Sequence, residues 1–131
     1  MWGGWNRGAL SGGAIYDFKI DRWSDMEPLR EGLSGRYFHS AVAIAPGKML
    51  IWGGFNGELK SDGAIYDLAT NSWSKIIEPT NVLSARYGHS AVLIAPGKMI
   101  VWGGDDGDIK SDGAMFDYKK NIWTKISDSL D

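Results

Sequence analysis

The chain has 131 residues, no cysteine, and 14 Lys and Arg against 16 Asp and Glu, a formal net charge of -2. The lack of cysteine excludes disulfides, thiolate metal sites and thiol nucleophiles, and the interspersed charges form no basic stripe of the kind nucleic-acid binding needs. No apolar run approaches the ~18 residues of a membrane span, and Met-Trp-Gly-Gly-Trp lacks the basic and apolar segments of a secretory signal, so a cytoplasmic setting follows if Met1 is the native start.

In chain order, Trp2-Gly3-Gly4 comes first, then the loop-like Trp5-Asn6-Arg7-Gly8-Ala9, then Tyr16 and Trp23. Arg36-Tyr37-Phe38-His39-Ser40 begins a fuller unit. It continues through the turn Ala45-Pro46-Gly47-Lys48, Trp52-Gly53-Gly54, Phe55-Asn56-Gly57-Glu58-Leu59, Tyr66, the turn Ala69-Thr70-Asn71 and Trp73. Arg86-Tyr87-Gly88-His89-Ser90 begins it again, followed by Ala95-Pro96-Gly97-Lys98, Trp102-Gly103-Gly104, Asp105-Asp106-Gly107-Asp108-Ile109, Phe116 and Trp123. Every landmark recurs after about fifty residues, the mark of a supersecondary unit that buries its apolar surface only by stacking on copies of itself.

Four strands are read in the last unit. Tyr87 to Ile94 alternates small or polar with apolar residues, and Met99 to Trp102 is a short apolar run that must stop or bend at Gly103-Gly104. Gly113 to Tyr118 and Ile122 to Ile126 follow, joined by the tight turn Lys119-Lys120-Asn121. No segment has helical periodicity. A small four-stranded antiparallel sheet that is apolar on both faces must be sandwiched, and radial stacking about an axis does this while leaving only short edges: a β-propeller. The recurrent indoles Trp2, Trp23, Trp52, Trp73, Trp102 and Trp123 are expected to wedge neighbouring sheets, since each buries ~150–250 Å² when packed.

An apolar strand ending in Gly-Gly, an aromatic about twelve residues on and a Trp about seven beyond resembles the kelch repeat. Those marks are Gly53-Gly54, Tyr66 and Trp73, then Gly103-Gly104, Phe116 and Trp123, and first Gly3-Gly4, Tyr16 and Trp23. The resemblance covers essentially the whole chain and implies a propeller with one repeat per blade, an all-β arc of four-stranded antiparallel blades. The blades fall at 1–27 (strands two to four), 36–76 and 86–126 (all four strands), with a tail at 127–131 too short to serve as the missing first strand. Kelch propellers close with about five to seven blades, so an arc of under three exposes two apolar faces. It is expected to be a fragment of a longer propeller, to assemble with copies of itself (a dimer giving nearly six blades), or to be completed by another chain. Met1, where later units have Ile51 and Val101, suits a start codon placed inside an ancestral repeat.

Turns between the first and second strands and between the third and fourth are uniform and share one rim. The opposite rim carries loops that differ between units. Binding residues concentrate on loops held by a rigid scaffold, so the candidates are Trp5, Asn6, Arg7, Phe55, Asn56, Glu58, Asp105, Asp106 and Asp108. The same rim is where ligands usually sit in proteins the chain resembles. The acidic cluster at 105–108 lacks the distal bidentate Glu of a calcium loop and has no counterpart in the other units, so no metal is expected. His39 and His89 recur beside Ser40 and Ser90, but adjacent strand residues point to opposite faces, which opposes a nucleophile pair. They read as structural, as do Gly53, Gly54, Gly103 and Gly104. Arg36 and Arg86 read as structural too, and are expected to pair with an acid of a neighbouring blade.

These features define a non-catalytic interaction module that takes a protein or glycan on its variable rim, needs no cofactor, and has neither nucleic-acid nor membrane partners. The rival readings are an enzyme and a purely architectural subunit. Some kelch propellers are enzymes; among them, copper-radical galactose oxidase depends on a Tyr–Cys crosslink that a cysteine-free chain cannot make. A sialic-acid mutarotase needs a closed funnel that such an arc offers only after assembly.

Overall fold

The computed structural model describes residues 1–29 and 33–127; most of the expected tail, residues 128–131, lies outside them. Ten strands follow in order: β1 (Ala14–Asp17), β2 (Arg22–Asp25), β3 (Ser40–Ala45), β4 (Lys48–Trp52), β5 (Gly63–Asp67), β6 (Ser72–Lys75), β7 (Ser90–Ala95), β8 (Lys98–Trp102), β9 (Gly113–Asp117) and β10 (Ile122–Lys125). No helix occurs among the described residues. The strands form antiparallel sheets ordered β1-β2, β3-β4-β5-β6 and β7-β8-β9-β10. In the first unit, the bridge Trp2↔Gly13, the Gly3 amide on the Gly12 carbonyl and a reciprocal contact of Met1 with Ala14 stand in for the second strand, and a separate bridge, Trp5↔Ala9, closes the loop, so no extended second strand is formed there.

The strand expected from Tyr87 begins at Ser90. Tyr87 instead bridges Asp105, and Gly88 at φ 64 takes the chain out of extended conformation before the ladder starts. Register shifts at Ala43/Ala45 and Leu93/Ala95 mark bulges just before the Pro-Gly turns, which bend β3 and β7 and increase their twist.

The central sheet buries both faces. Alternation along its strands sends Ile51, Ala64 and Tyr66 to a cluster with Trp2, Met26 and Leu33 of the first unit. The intervening residues Leu50, Trp52 and Ile65 join Ile44 and Ile76 in a cluster with Met99, Val101, Phe116 and Trp123 of the third sheet. Each junction has the same wedge. Trp73 meets Trp2 edge-on with ring centroids 5.7 Å apart, and Trp123 meets Trp52 at 5.4 Å. The wedging indole Nε1 donates to a carbonyl of the preceding unit, Trp73 to Glu27 at 2.8 Å and Trp123 to Ile77 at 2.9 Å.

Trp23 departs from the expected role. It stacks on Tyr16 of its own hairpin at 5.0 Å but is 59% exposed, and no indole among the described residues packs on it as Trp2 packs on Trp73. Trp102 occupies the platform position at the other end and is half-buried, its sheet face being open beside exposed Val92 and Ile94.

Candidate functional site

The loop-bearing rim is built over two buried guanidinium groups. Arg36 is fully buried and forms a two-pronged ion pair with Asp62, Nη1 to Oδ1 at 2.7 Å and Nη2 to Oδ2 at 3.0 Å, and also donates to the Gly53 carbonyl. Arg86 pairs with Asp112 through one prong, Nη1 to Oδ1 at 2.7 Å, donates to the Gly103 carbonyl at 3.0 Å, and turns its Nη2 to the Ser84 hydroxyl at 2.8 Å. Its hydrogen bond holds the Asp112 carboxyl below the usual range. The expectation of a neighbouring blade's acid is thus corrected: each arginine pairs with the aspartate just ahead of the third strand of its own sheet. The antiparallel order brings both to one end, where the long side chain spans the Gly-Gly terminus of the intervening strand. The first unit has Gly12 where Asp62 and Asp112 stand, in Ser11-Gly12-Gly13 against Ser61-Asp62-Gly63 and Ser111-Asp112-Gly113.

The two histidines sit at the junctions between units. His89 Nε2 lies 2.9 Å from Ser40 Oγ of the preceding sheet, and its ring meets Trp52 edge-on at 4.9 Å. His39 packs likewise on Trp2 at 5.5 Å. A Cβ on Gly53, which has φ 69, would lie 2.7 Å from His89 Cε1. Glycine is therefore required there both for the backbone and for the ring that covers it. Gly103 has the same φ but no ring above it.

Burial, then the Arg86 charge, pushes His89 down to about 4, and burial, then the Arg36 charge, lowers His39. With a folded value near 4 and an unfolded one of about 6.5, the unfolded chain binds more protons between them. Stability is complete above about pH 6.5 and falls as pH drops toward 4, by about 3 kcal/mol for His89. Urea midpoints from pH 7.5 to 4 should show this slope, and H89Q should flatten most of it. Asp112 acts below that window, since its depressed value keeps it ionised there.

The three loops after the Gly-Gly pairs share one backbone. Bridges Trp5↔Ala9, Phe55↔Leu59 and Asp105↔Ile109 close them, and an inner bond recurs from Asn6 to Gly8, Asn56 to Glu58 and Asp106 to Asp108. Asn56 and Asp106 tie the loops to the preceding connection, donating to Ser34 Oγ at 2.9 Å and accepting from Ser84 Oγ at 2.6 Å. The Ser84 hydroxyl, followed by Lys110, holds Asp106 below the carboxylate range. Trp5, Asn6, Arg7, Glu58 and Asp108 project into solvent, while Phe55 and Asp105 are half-buried. A common scaffold thus carries different chemistry in each unit.

The structure also brings to this rim residues that sequence reasoning left out. Phe38 and both tyrosines join Phe55 in a closed circuit of rings, with centroid distances of 5.0 Å for Tyr37–Phe38, 5.9 Å for Phe38–Tyr87, 5.7 Å for Phe55–Tyr87 and 5.8 Å for Tyr37–Phe55. Phe38 is 62% exposed and has φ 56, a left-handed conformation that bulky residues rarely adopt. Its counterpart Gly88 has φ 64, so the readable signal was a phenylalanine where the other unit has glycine.

Four-stranded antiparallel sheets stacked face to face and wedged by an indole at each junction are the blades of a β-propeller, here an unclosed arc. The family model of the KLHDC2/KLHL20/DRC7 Kelch-repeats domain matches residues 1–130, and the chain belongs to this Kelch-repeat family. Domains of this family generally act as non-catalytic protein-interaction modules. No curated protein matches the chain.

Proposed function

We propose that the chain is a recognition module that binds a partner protein on the loop-bearing rim, its propeller being completed by a second copy. The first half rests on one observation above the rest: exposed Trp5 and Phe38 flank a cleft of about 600 Å³ lined only by Gly4, Trp5, Tyr37 and Phe38. Large rigid aromatics beside polar loops are the composition of interaction hot spots, and a strained residue is retained where function needs it. Proteins retained by the native chain should be lost by a quadruple variant of Trp5, Arg7, Phe55 and Glu58 to alanine, and kept by K119A on the opposite rim. Retention by the quadruple variant rejects the rim. Retention of oligosaccharides in place of proteins assigns it to glycans.

The second half rests on register. Trp2 receives Trp73 and Trp52 receives Trp123, so Trp102 is the next platform and Trp23 the unpartnered wedge. Asn71 Oδ1 accepts the Glu27 amide and Asn121 Oδ1 the Ile77 amide. The same spacing matches Asp21, an acceptor at a similar positive φ, with the amide of Ser127. A copy seated head to tail places Trp23 on Trp102 with its indole Nε1 at the Ser127 carbonyl, a heterologous contact that closes if the rotation allows. Sedimentation should show a species above monomer mass at micromolar concentration that W102K reduces to monomer. A native chain that stays monomeric while well folded overturns this half and leaves the rim reading standing.

A further inference from the structure

We infer that the ring circuit on the rim, with Asp105 at its edge, receives a cationic side chain, an arginine or lysine of the partner protein; this rests on the rim being a protein-recognition surface. An aromatic face carries the negative side of the ring quadrupole, a cation within about 6 Å of it is attracted most strongly where water is partly excluded, and Phe38, 62% exposed, is the ring of the circuit open to one. Exposed Phe38 gives access to rings that are otherwise half-buried.

The charges nearby have the matching sign. Trp5, Phe55 and Asp105 occupy one position of the shared loop, so the aromatic band ends in a carboxylate. Asp105 Oδ2 accepts the Tyr87 hydroxyl at 3.3 Å and Oδ1 accepts the Gly107 amide at 2.7 Å. Among the described residues no cationic group pairs with Asp105. Lys60 is held by Glu58 at 3.3 Å and Lys110 by Asp106 at 3.0 Å. Arg86 is fully buried and committed to Asp112. The half-buried carboxylate beside π faces is therefore a free counter-ion, and an incoming guanidinium or ammonium satisfies both. Phe38 supplies the second, independent sign: bulk is kept at a left-handed position that glycine fills without strain in the next unit.

The test is an NMR titration of the native chain with the blocked peptide Ac-Gly-Arg-Gly-Gly-Arg-Gly-NH2, its citrulline counterpart and maltohexaose. The arginine peptide should shift the amides of Phe38, Gly88 and Asp105, more weakly at 300 mM salt than at 50 mM. The neutral citrulline peptide should bind at least tenfold more weakly. F38G should lose at least fivefold in affinity while its melting temperature holds or rises. D105N should lose at least fivefold with the fold intact. Equal binding of the citrulline peptide, shifts elsewhere, preference for maltohexaose, native affinity in F38G or D105N, or no binding at all each overturns the cation site. If the rim variants still abolish protein capture, only this inference fails and the wider reading survives.

Discussion

Replacing Trp52 with alanine should lower the unfolding free energy by about 4 kcal/mol, while W23A, at a dilution where the chain is monomeric, should change it by less than about 0.5 kcal/mol. The two residues occupy different positions in the repeat but are the same side chain, and context separates them. Trp52 is fully buried. Its ring touches both His89 and Trp123, and its Nε1 donates to the Ser61 carbonyl at 2.8 Å. Truncation leaves a cavity at the centre of the junction between the second and third sheets and removes a donor from that carbonyl. Two-probe denaturation distinguishes the failure: far-UV signal for the strands and the fluorescence of Trp123 should part company in W52A if the third sheet detaches first. A loss below 1 kcal/mol would mean that the sheets are held together by something other than the wedge.

The second large effect concerns the ion pairs under the rim. D112N should cost about 3 kcal/mol, a fall in melting temperature of roughly 10 °C. Arg86 is fully buried, and without the carboxylate its charge keeps only neutral partners, the carbonyls of Ser84, Gly103 and Asp112 and the Ser84 hydroxyl. Asp112 is partly exposed, which places the expected cost at the lower end for buried pairs. D62N should behave alike. The double variant R86M/D112N should recover most of the loss, because an apolar side chain of similar length needs no counter-ion. Chemical denaturation of the single and double variants checks this, and a double variant as unstable as D112N would show that the arginine stabilises through its carbonyl bonds instead.

Much of the strand plan was legible because period-two alternation, Pro-Gly turns and Gly-Gly breaks fall at the same places in successive units. What remained hidden depended on space rather than spacing. Arg36 and Asp62 lie 26 residues apart, and only the antiparallel order of the sheet places them at one end. That an arc has open end faces follows from its length, but that Trp23 is the indole left exposed does not, because repetition treats its copies as equivalent, whereas burial depends on what stands on the adjacent face. Phe38 was passed over as the variable residue between a constant tyrosine and a constant histidine. Its meaning comes from the backbone, since a left-handed phenylalanine at φ 56 shows only in the three-dimensional structure. Among the loop candidates, sequence could not separate Asn56 and Asp106, which tie one loop to another, from Trp5 and Glu58, which face solvent.

Gly12 leaves the first unit without the carboxylate that pairs with a buried arginine in each of the next two. The strands following Arg36 and Arg86 each carry a guanidinium that must find a carboxylate on the sheet they join, and the first unit offers hydrogen there instead. A stray copy of either strand that intruded there would strand a buried charge, a penalty of about 3–5 kcal/mol. The missing acid is therefore expected to disfavour swapped pairing of the first unit with the chain's own arginine-bearing segments.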